Sequence, residues 1–281
     1  MKRFSVLTHR RPDDTREALD LLVRRAAEAG VTLAIDPEET AKHGIADGPG
    51  VSCGSELERD VELCIVLGGD GTILRALQCY AGTDVPVFAI NYGQIGFLAT
   101  VEHDDIEAGI ARAFSGEFEL LHLPGIEVAF DGTPQVALND VAIHRKVGER
   151  VAELAYALDG EVAGSVRCDG LVVSTPAGST GYNLANGGPV MAWGVEGFVV
   201  SFIAPHSIAA RALVVAPSDE LTIYNRSHEP LDVALDGRPA GEIPAAGSIS
   251  AHFRSDVGTL AQLPGTSFYR RLRDKFGRLA S

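Results

Sequence analysis

Residues 67–72 read Leu67-Gly68-Gly69-Asp70-Gly71-Thr72, directly after the apolar run Leu63–Val66. The next residues, Ile73-Leu74-Arg75-Ala76-Leu77, carry the spacing of a helix start. The pattern predicts a buried strand that ends in three glycines and turns into a helix. Free backbone N–H groups at such a corner point at the loop and bind anions, and glycine lets a ligand approach the main chain closely. Asp70 places a negative charge where phosphates would sit. A carboxylate there suits handling of a hydroxyl or a metal, and the combination points to phosphoryl transfer onto an alcohol.

Three further clusters carry polar chemistry. The first is Leu138-Asn139-Asp140. The second is Asp169-Gly170 with the stretch Thr175-Pro176-Ala177-Gly178-Ser179-Thr180-Gly181-Tyr182-Asn183 and Gly187-Gly188-Pro189. The third is Pro205-His206-Ser207. Each taken alone reads as a turn or a polar loop. His144 and His206 lack an HxxxH or HxH neighbour, so they read as structural hydrogen-bonding residues and not as zinc ligands.

The elements that must position these groups change character along the chain. Phe4–Thr8, Val31–Ile35, Leu63–Leu67 and Val85–Ile90 read as strands. Asp13–Gly30, the segment after Gly71 to about Tyr80, and Asp104–Phe114 read as helices. Residues 36–60, rich in Gly, Pro and acids, read as irregular. The alternation implies a doubly wound, Rossmann-like α/β domain over residues 1–115. Beyond it, Ile126–Phe130, Ala137–His144, Glu153–Leu158 and Leu171–Ser174 are short β-type runs. They are punctuated by Asp-Gly pairs at 131, 159, 169 and 236, those at 131 and 159 reading as hairpin turns. Residues 116–260 are therefore expected to form a mostly antiparallel β domain. The remaining segment, 261–281, holds a basic–apolar stretch from Ser267 to Leu279 that reads as a helix packing back on the first domain.

Composition limits the partners. With 281 residues and 46% hydrophobic content, the chain is an ordinary globular one, long enough for two compact domains or one large one. The apolar stretch Gly197–Pro205 is too short to span a membrane, and Phe4–Leu7, cut off by His9-Arg10-Arg11, is too short for a signal peptide. A net charge of −14 argues against nucleic acid and anionic membranes. Four cysteines without paired spacing fit reduced thiols and a cytoplasmic location.

Taken together and in this order, the clusters closely resemble the NAD kinase family over about residues 60–240. The matching elements are Gly-Gly-Asp-Gly-Thr, the Asn-x-Gly-x-x-Gly-Phe-Leu stretch at 91–98, Asn139-Asp140, Asp169-Gly170, the Thr-Pro-x-Gly-Ser-Thr-x-Tyr stretch and Pro205-His206-Ser207. The resemblance implies an N-terminal α/β domain, a C-terminal β domain and a nucleotide cleft between them. It implies transfer of a phosphoryl group from ATP or polyphosphate to the 2′-hydroxyl of the adenosine ribose of NAD, giving NADP. Asp70 would be the catalytic base, and Gly68, Gly69, Asp70, Gly71 and Thr72 would line the nucleotide site. Asn139 and Asp140 would bind the adenine and ribose side, and Asp169 the nicotinamide end. Thr180, Tyr182, Asn183, Ala185 and Ala204 would complete the dinucleotide contacts. Arg75, Arg150 and Arg167 would supply cationic groups. Mg²⁺ or another divalent cation would be carried mainly by the phosphates, with no protein metal ligands, and a homodimer or homotetramer is implied.

Three positions depart from the family pattern. Ala177 stands where the family commonly has Thr, Gly181 where it has Ala, and Arg238 where many members carry Gln. A guanidinium at 238 could meet a phosphate. Two other readings share the Gly-Gly-Asp-Gly corner or the fold: a lipid or sphingoid-base kinase, and a catalytically silent NAD(P)-binding sensor.

Overall fold

Alternating apolar runs and single-striped helices build the first of two units in the computed structural model, which describes residues 2–93, 96–130 and 132–277. Gln94 and Ile95 of the 91–98 stretch, Asp131 of the first Asp-Gly pair and the tail beyond Gly277 lie outside the described residues. The first unit comprises Met1–His122 and Gly258–Ser281. It opens with β1 (Arg3–Thr8), α1 (Arg16–Ala29), β2 (Thr32–Ile35), α2 (Pro37–His43) and β3 (Val51–Cys53). It continues with β4 (Leu63–Gly68), α3 (Asp70–Cys79), β5 (Pro86–Asn91), β6 (Val101–Glu102) and α4 (Ile106–Ser115). The strands run parallel in the order β3-β2-β1-β4-β5, with β6 beside β5. The order reverses between β1 and β4. In open α/β sheets, ligands bind outside the carboxyl ends of the strands at such a reversal. The Gly68–Thr72 corner stands at the carboxyl end of β4.

The central strands β4 and β5 are covered on both faces and buried along their whole length. Phe4, Val6, Leu22, Leu33, Ile65, Leu67, Phe88, Ile90 and Ile110 form one core cluster. Residues 36–60 are not wholly irregular as expected, because α2 and β3 lie within them. The local chemistry explains the helix. The Asp36 side chain accepts from Glu39 N, Pro37 occupies the first turn, and Gly44 closes the helix at φ 64°.

The second unit comprises Leu123–Val257. Its elements are β7 (Glu119–Phe130), which begins in the first unit, β8 (Thr133–Ala137), β9 (Asp140–Arg145), β10 (Ala152–Leu158) and β11 (Glu161–Cys168). Then follow β12 (Gly170–Ser174), α5 (Tyr182–Ala185), β13 (Phe198–Ile203) and β14 (Leu213–Val215). The unit closes with β15 (Leu221–Asn225), β16 (Leu231–Leu235), β17 (Arg238–Ile243) and β18 (Ser248–Gln262). One antiparallel sheet has the order β14-β13-β12-β9-β16-β17. The other places β11, β10, β15 and the first part of β18 side by side, also antiparallel. Inward residues of both sheets share one core, with Leu154, Ile223 and Ile249 from one and Ile143, Val173, Phe198 and Val233 from the other. Asp159-Gly160 and Asp236-Gly237 take positive φ at both residues and join β10 to β11 and β16 to β17 as two-residue hairpins.

The last residues of β18 belong to the first unit, where Thr259 and Leu260 pair in parallel with Pro86 and Val87 of β5. The last element among the described residues is α6 (Phe268–Phe276), in the same unit and seated on Phe97 through Phe268 and Phe276. The units thus divide inside the two long strands β7 and β18, at 122/123 and 257/258. Composition places the boundaries at 115/116, where Gly116 closes α4, and at 260/261; the two strands themselves run on through both division points.

Candidate active site

The corner after β4 depends on close glycine contacts. A Cβ on Gly68 would lie 2.6 Å from Thr72 Oγ1, and one on Gly93 would lie 3.0 Å from the Gly69 Cα. Gly69 is extended, and Asp70 is the first residue of α3. Its half-buried carboxylate is held rigidly: Phe97 N donates to Oδ2 at 3.0 Å and Leu98 N to Oδ1 at 3.2 Å. Gly96 makes that approach possible, since a Cβ there would stand 2.1 Å from Asp70 Oδ1. Each carboxylate oxygen keeps a lone pair beyond its amide bond. Gly71 is exposed, with nothing within 4 Å of a Cβ placed on it. An open helix N-terminus with a fixed carboxylate can orient a hydroxyl and meet an anion at once.

Arg75, one helical turn on, faces the carboxyl end of β1. It pairs with Glu38 at 2.6 Å and with Glu39 at 2.9 Å. Glu39 is 1% exposed and is well satisfied. It accepts from Thr8 N, Thr8 Oγ1 and Lys42 Nζ besides Arg75. Arg75 therefore stands near the corner but in the service of two carboxylates.

In the second unit, Asn139-Asp140 and the 174–188 loop are tied into one assembly. Thr175 N donates to Asn139 O, and Thr175 Oγ1 donates to Leu138 O while accepting from Gly178 N. Gly178 lies so close that a Cβ would be 2.0 Å from Asn139 O. From the other side, the Asp236 carboxylate accepts from Leu138 N at 3.0 Å, Asn139 N at 2.6 Å and Asp140 N at 3.1 Å. Asp236 is the residue that sequence reasoning passed over. Its Asp-Gly signature announced only a turn, and its partners are nearly a hundred positions upstream. Burial, and then the charge of Asp236, push the Asp140 carboxyl up to about 7.

Tyr182 stacks on His144 with ring centroids 5.7 Å apart and planes at 18°. Asn183 is fully buried; its Nδ2 donates to Ser179 O and Pro189 O, while its Oδ1 has no partner among the described residues. Thr180 Oγ1 donates to Ala177 O, and Ala185 ends the short α5. Asp169 is paired with Arg145 Nε at 2.6 Å, which holds its carboxyl below the ordinary value. Ala204 adopts φ 44°, a left-handed conformation that turns the chain into Pro205-His206. Arg150 and Arg167 line one groove of the second unit, of about 490 Å³, with Arg145, Lys146 and Arg226. Arg238 is exposed at the first position after the Asp236-Gly237 turn. Among the described residues, no group of three His, Cys, Asp or Glu side chains could hold a metal ion.

Comparison with known proteins accounts for both halves. Residues 49–118 match the ATP-NAD kinase N-terminal domain and residues 138–252 the ATP-NAD kinase C-terminal domain. The chain is 31% identical to the NAD kinase of Lachnoclostridium phytofermentans, over 99% of each chain. It is 32% identical to that of Gemmatimonas aurantiaca, over 98% of this chain and 96% of the relative. A crystal structure of yeast NADH kinase complexed with NADH shares the fold, with TM-score 0.88 at 21% identity over 100% of this chain and 89% of that one. An NAD kinase from Archaeoglobus fulgidus in complex with ATP aligns with TM-score 0.75 at 23% identity over 99% and 98%. With the Gly-Gly-Asp-Gly corner, the tied Asn-Asp strand end and near full-length identity above the thirty per cent level all in one chain, this protein belongs to the NAD kinase family.

Proposed function

We propose that this chain transfers the terminal phosphoryl group of ATP or polyphosphate to the 2′-hydroxyl of the adenosine ribose of NAD, giving NADP. The observation that carries this reading is the Asp70 carboxylate, fixed by two backbone amides at the N-terminus of α3. A ribose hydroxyl is a poor nucleophile. Asp70 would accept its proton as the new O–P bond forms and the bridging oxygen of the donor departs. The exposed N–H at Gly71 and the dipole of α3 would stabilise charge on the transferring group. In the second unit, Asn139, Asp140 and the Thr180–Ala185 segment would bind the dinucleotide, and Tyr182, already stacked on His144, would present an aromatic surface to a ring. A divalent cation enters as part of the donor, carried by its phosphates. Arg150 and Arg167 would contribute positive charge; Arg75 would do so only by releasing Glu38.

A homodimer or homotetramer is consistent with exposed Ile208, Leu213 and Val214 in the second unit. No helix among the described residues is long and apolar enough to cross a membrane. All four cysteines are free, which supports our reading of a reducing, cytoplasmic setting. The lipid-kinase reading is dropped because both domain matches are to NAD kinases.

The test separates the kinase from a silent sensor. Wild type and Asp70→Asn are incubated with NAD, ATP or polyphosphate, and Mg²⁺, and NADP is measured with an NADP-specific dehydrogenase. Wild type should form NADP, and the variant should lose about 10²–10⁴ in rate while still binding NAD. NAD binding by wild type without NADP from either donor would sink the kinase reading.

A further inference from the structure

The C-terminal helix reaches the reacting carboxylate through hydrogen bonds on either side of one residue, Leu98. Arg271 Nη2 donates to Gln262 Oε1 at 2.7 Å. Gln262 Nε2 donates to Leu98 O at 3.3 Å. Leu98 N donates to Asp70 Oδ1 at 3.2 Å. The neighbouring amide, Phe97 N, holds the other carboxylate oxygen. The Phe97 ring in turn packs between Phe268 and Phe276, with Lys275 Nζ 4.5 Å from its centroid. Both residues whose amides grip Asp70 are thus held by α6 or by a residue α6 holds.

Burial makes this more than a surface contact. Gln262 is 5% exposed, Leu98 4% and Phe97 3%. A buried amide that loses one partner costs more than the hydrogen bond itself, so the chain has one satisfied arrangement. Thr100 anchors the far end of the loop independently, donating to Ala261 O and accepting from Ala89 N. The part left for α6 to fix is the part that touches Asp70. Burial lowers the Arg271 guanidinium from its ordinary value, and the charges of Glu102 and Asp70 oppose that, placing the cation within electrostatic reach of the carboxylate.

We propose that Arg271 and Gln262 are positioning residues for phosphoryl transfer, holding the Gly96–Leu98 loop so that its two amides fix the Asp70 carboxylate in the geometry that meets the attacking hydroxyl. The proposal rests on the reading of Asp70 as the base. It assigns a role in chemistry to a segment outside both matched domains, which end at residues 118 and 252.

The experiment measures kcat, the KM for NAD and for ATP, and the melting temperature. The variants are Arg271→Met, Gln262→Met and the double variant, each made in the wild-type and Asp70→Asn backgrounds. Arg271→Met keeps the buried stem and removes the donor. Each single variant should lose about tenfold in kcat with either KM changed less than about twofold. The double variant should be no worse than the singles. In the Asp70→Asn background neither change should lower the residual rate further, because the carboxylate they position is gone. Arg271→Lys, which keeps a donor toward Gln262, should recover part of the loss. A fall that persists in the Asp70→Asn background, or one shared equally by KM, would mean general structural damage and overturn the proposal; so would unchanged kcat. If Arg271→Met does not fold, Gln262→Met decides alone. Wild-type rates in Asp70→Asn would instead refute the base assignment, so the two failures are distinguishable.

Discussion

Replacing Asp140 by Asn should stabilise the protein at alkaline pH while weakening it as an enzyme. In the folded chain the Asp140 carboxyl titrates near about 7 against an ordinary 3.8, because it is buried and, secondarily, because Asp236 sits beside it. Between those values the folded chain holds a proton that the unfolded chain has released. Stability therefore falls as pH rises through that window, by about 1.4 kcal/mol per pH unit. The full cost, of order 4 kcal/mol, is present above pH 7 and absent below 3.8. Asn has the same shape and no charge, so the variant should gain up to that amount at pH 8 and nothing at pH 4. The assay is urea unfolding of both proteins at pH 4, 6 and 8. Carboxylates remote from Asp140 titrate alike in the two proteins and cancel in the difference; Asp236, beside it, is part of the measured effect. An equal gain at pH 4 and pH 8, or none at pH 8, would refute the account. The same variant should raise the KM for NAD, since a destabilising charge kept at this place is what a binding function would explain.

Two further substitutions test the geometry at either unit. Gly96→Ala puts a methyl group 2.1 Å from Asp70 Oδ1, so the carboxylate must swing out of its two amide bonds; kcat should fall about 10²-fold, and an undiminished rate would show that the observed Asp70 rotamer is not the reacting one. Arg238→Gln should weaken NADP binding about tenfold if the guanidinium meets a phosphate; calorimetry showing unchanged affinities for NAD and NADP would remove that role.

Much of the first unit is local chemistry and was therefore legible. The run Leu63–Val66, three glycines and a following helical stripe specify a strand, a corner and a helix with no long-range help. Helix α2 was also written locally, in Asp36, Pro37 and Gly44, but a segment crowded with Gly, Pro and acids masks a seven-residue helix. The clusters at 139–140, 169–170 and 175–183 each read alone as a turn or a polar loop; their order along the chain was what made the family legible.

What the sequence could not supply are the partners. Whether a carboxylate is a turn residue or the clamp on three amides depends on which backbone comes to meet it, and Asp236 meets residues 138–140 only because β16 pairs with β9. Arg75 reads as a free cation in sequence and is an ion-paired one in the fold, since the strand reversal brings Glu38 and Glu39 to its helix. The two amides on Asp70 come from a loop nearly thirty residues later, and that loop is held by a helix at the far end of the chain. Residue types and spacing determine which groups can react, because those are properties of the groups. The hydrogen bonds and burial that aim them, or that move Asp140 toward neutrality, belong to distant segments brought together by packing, and only the tertiary structure decides them.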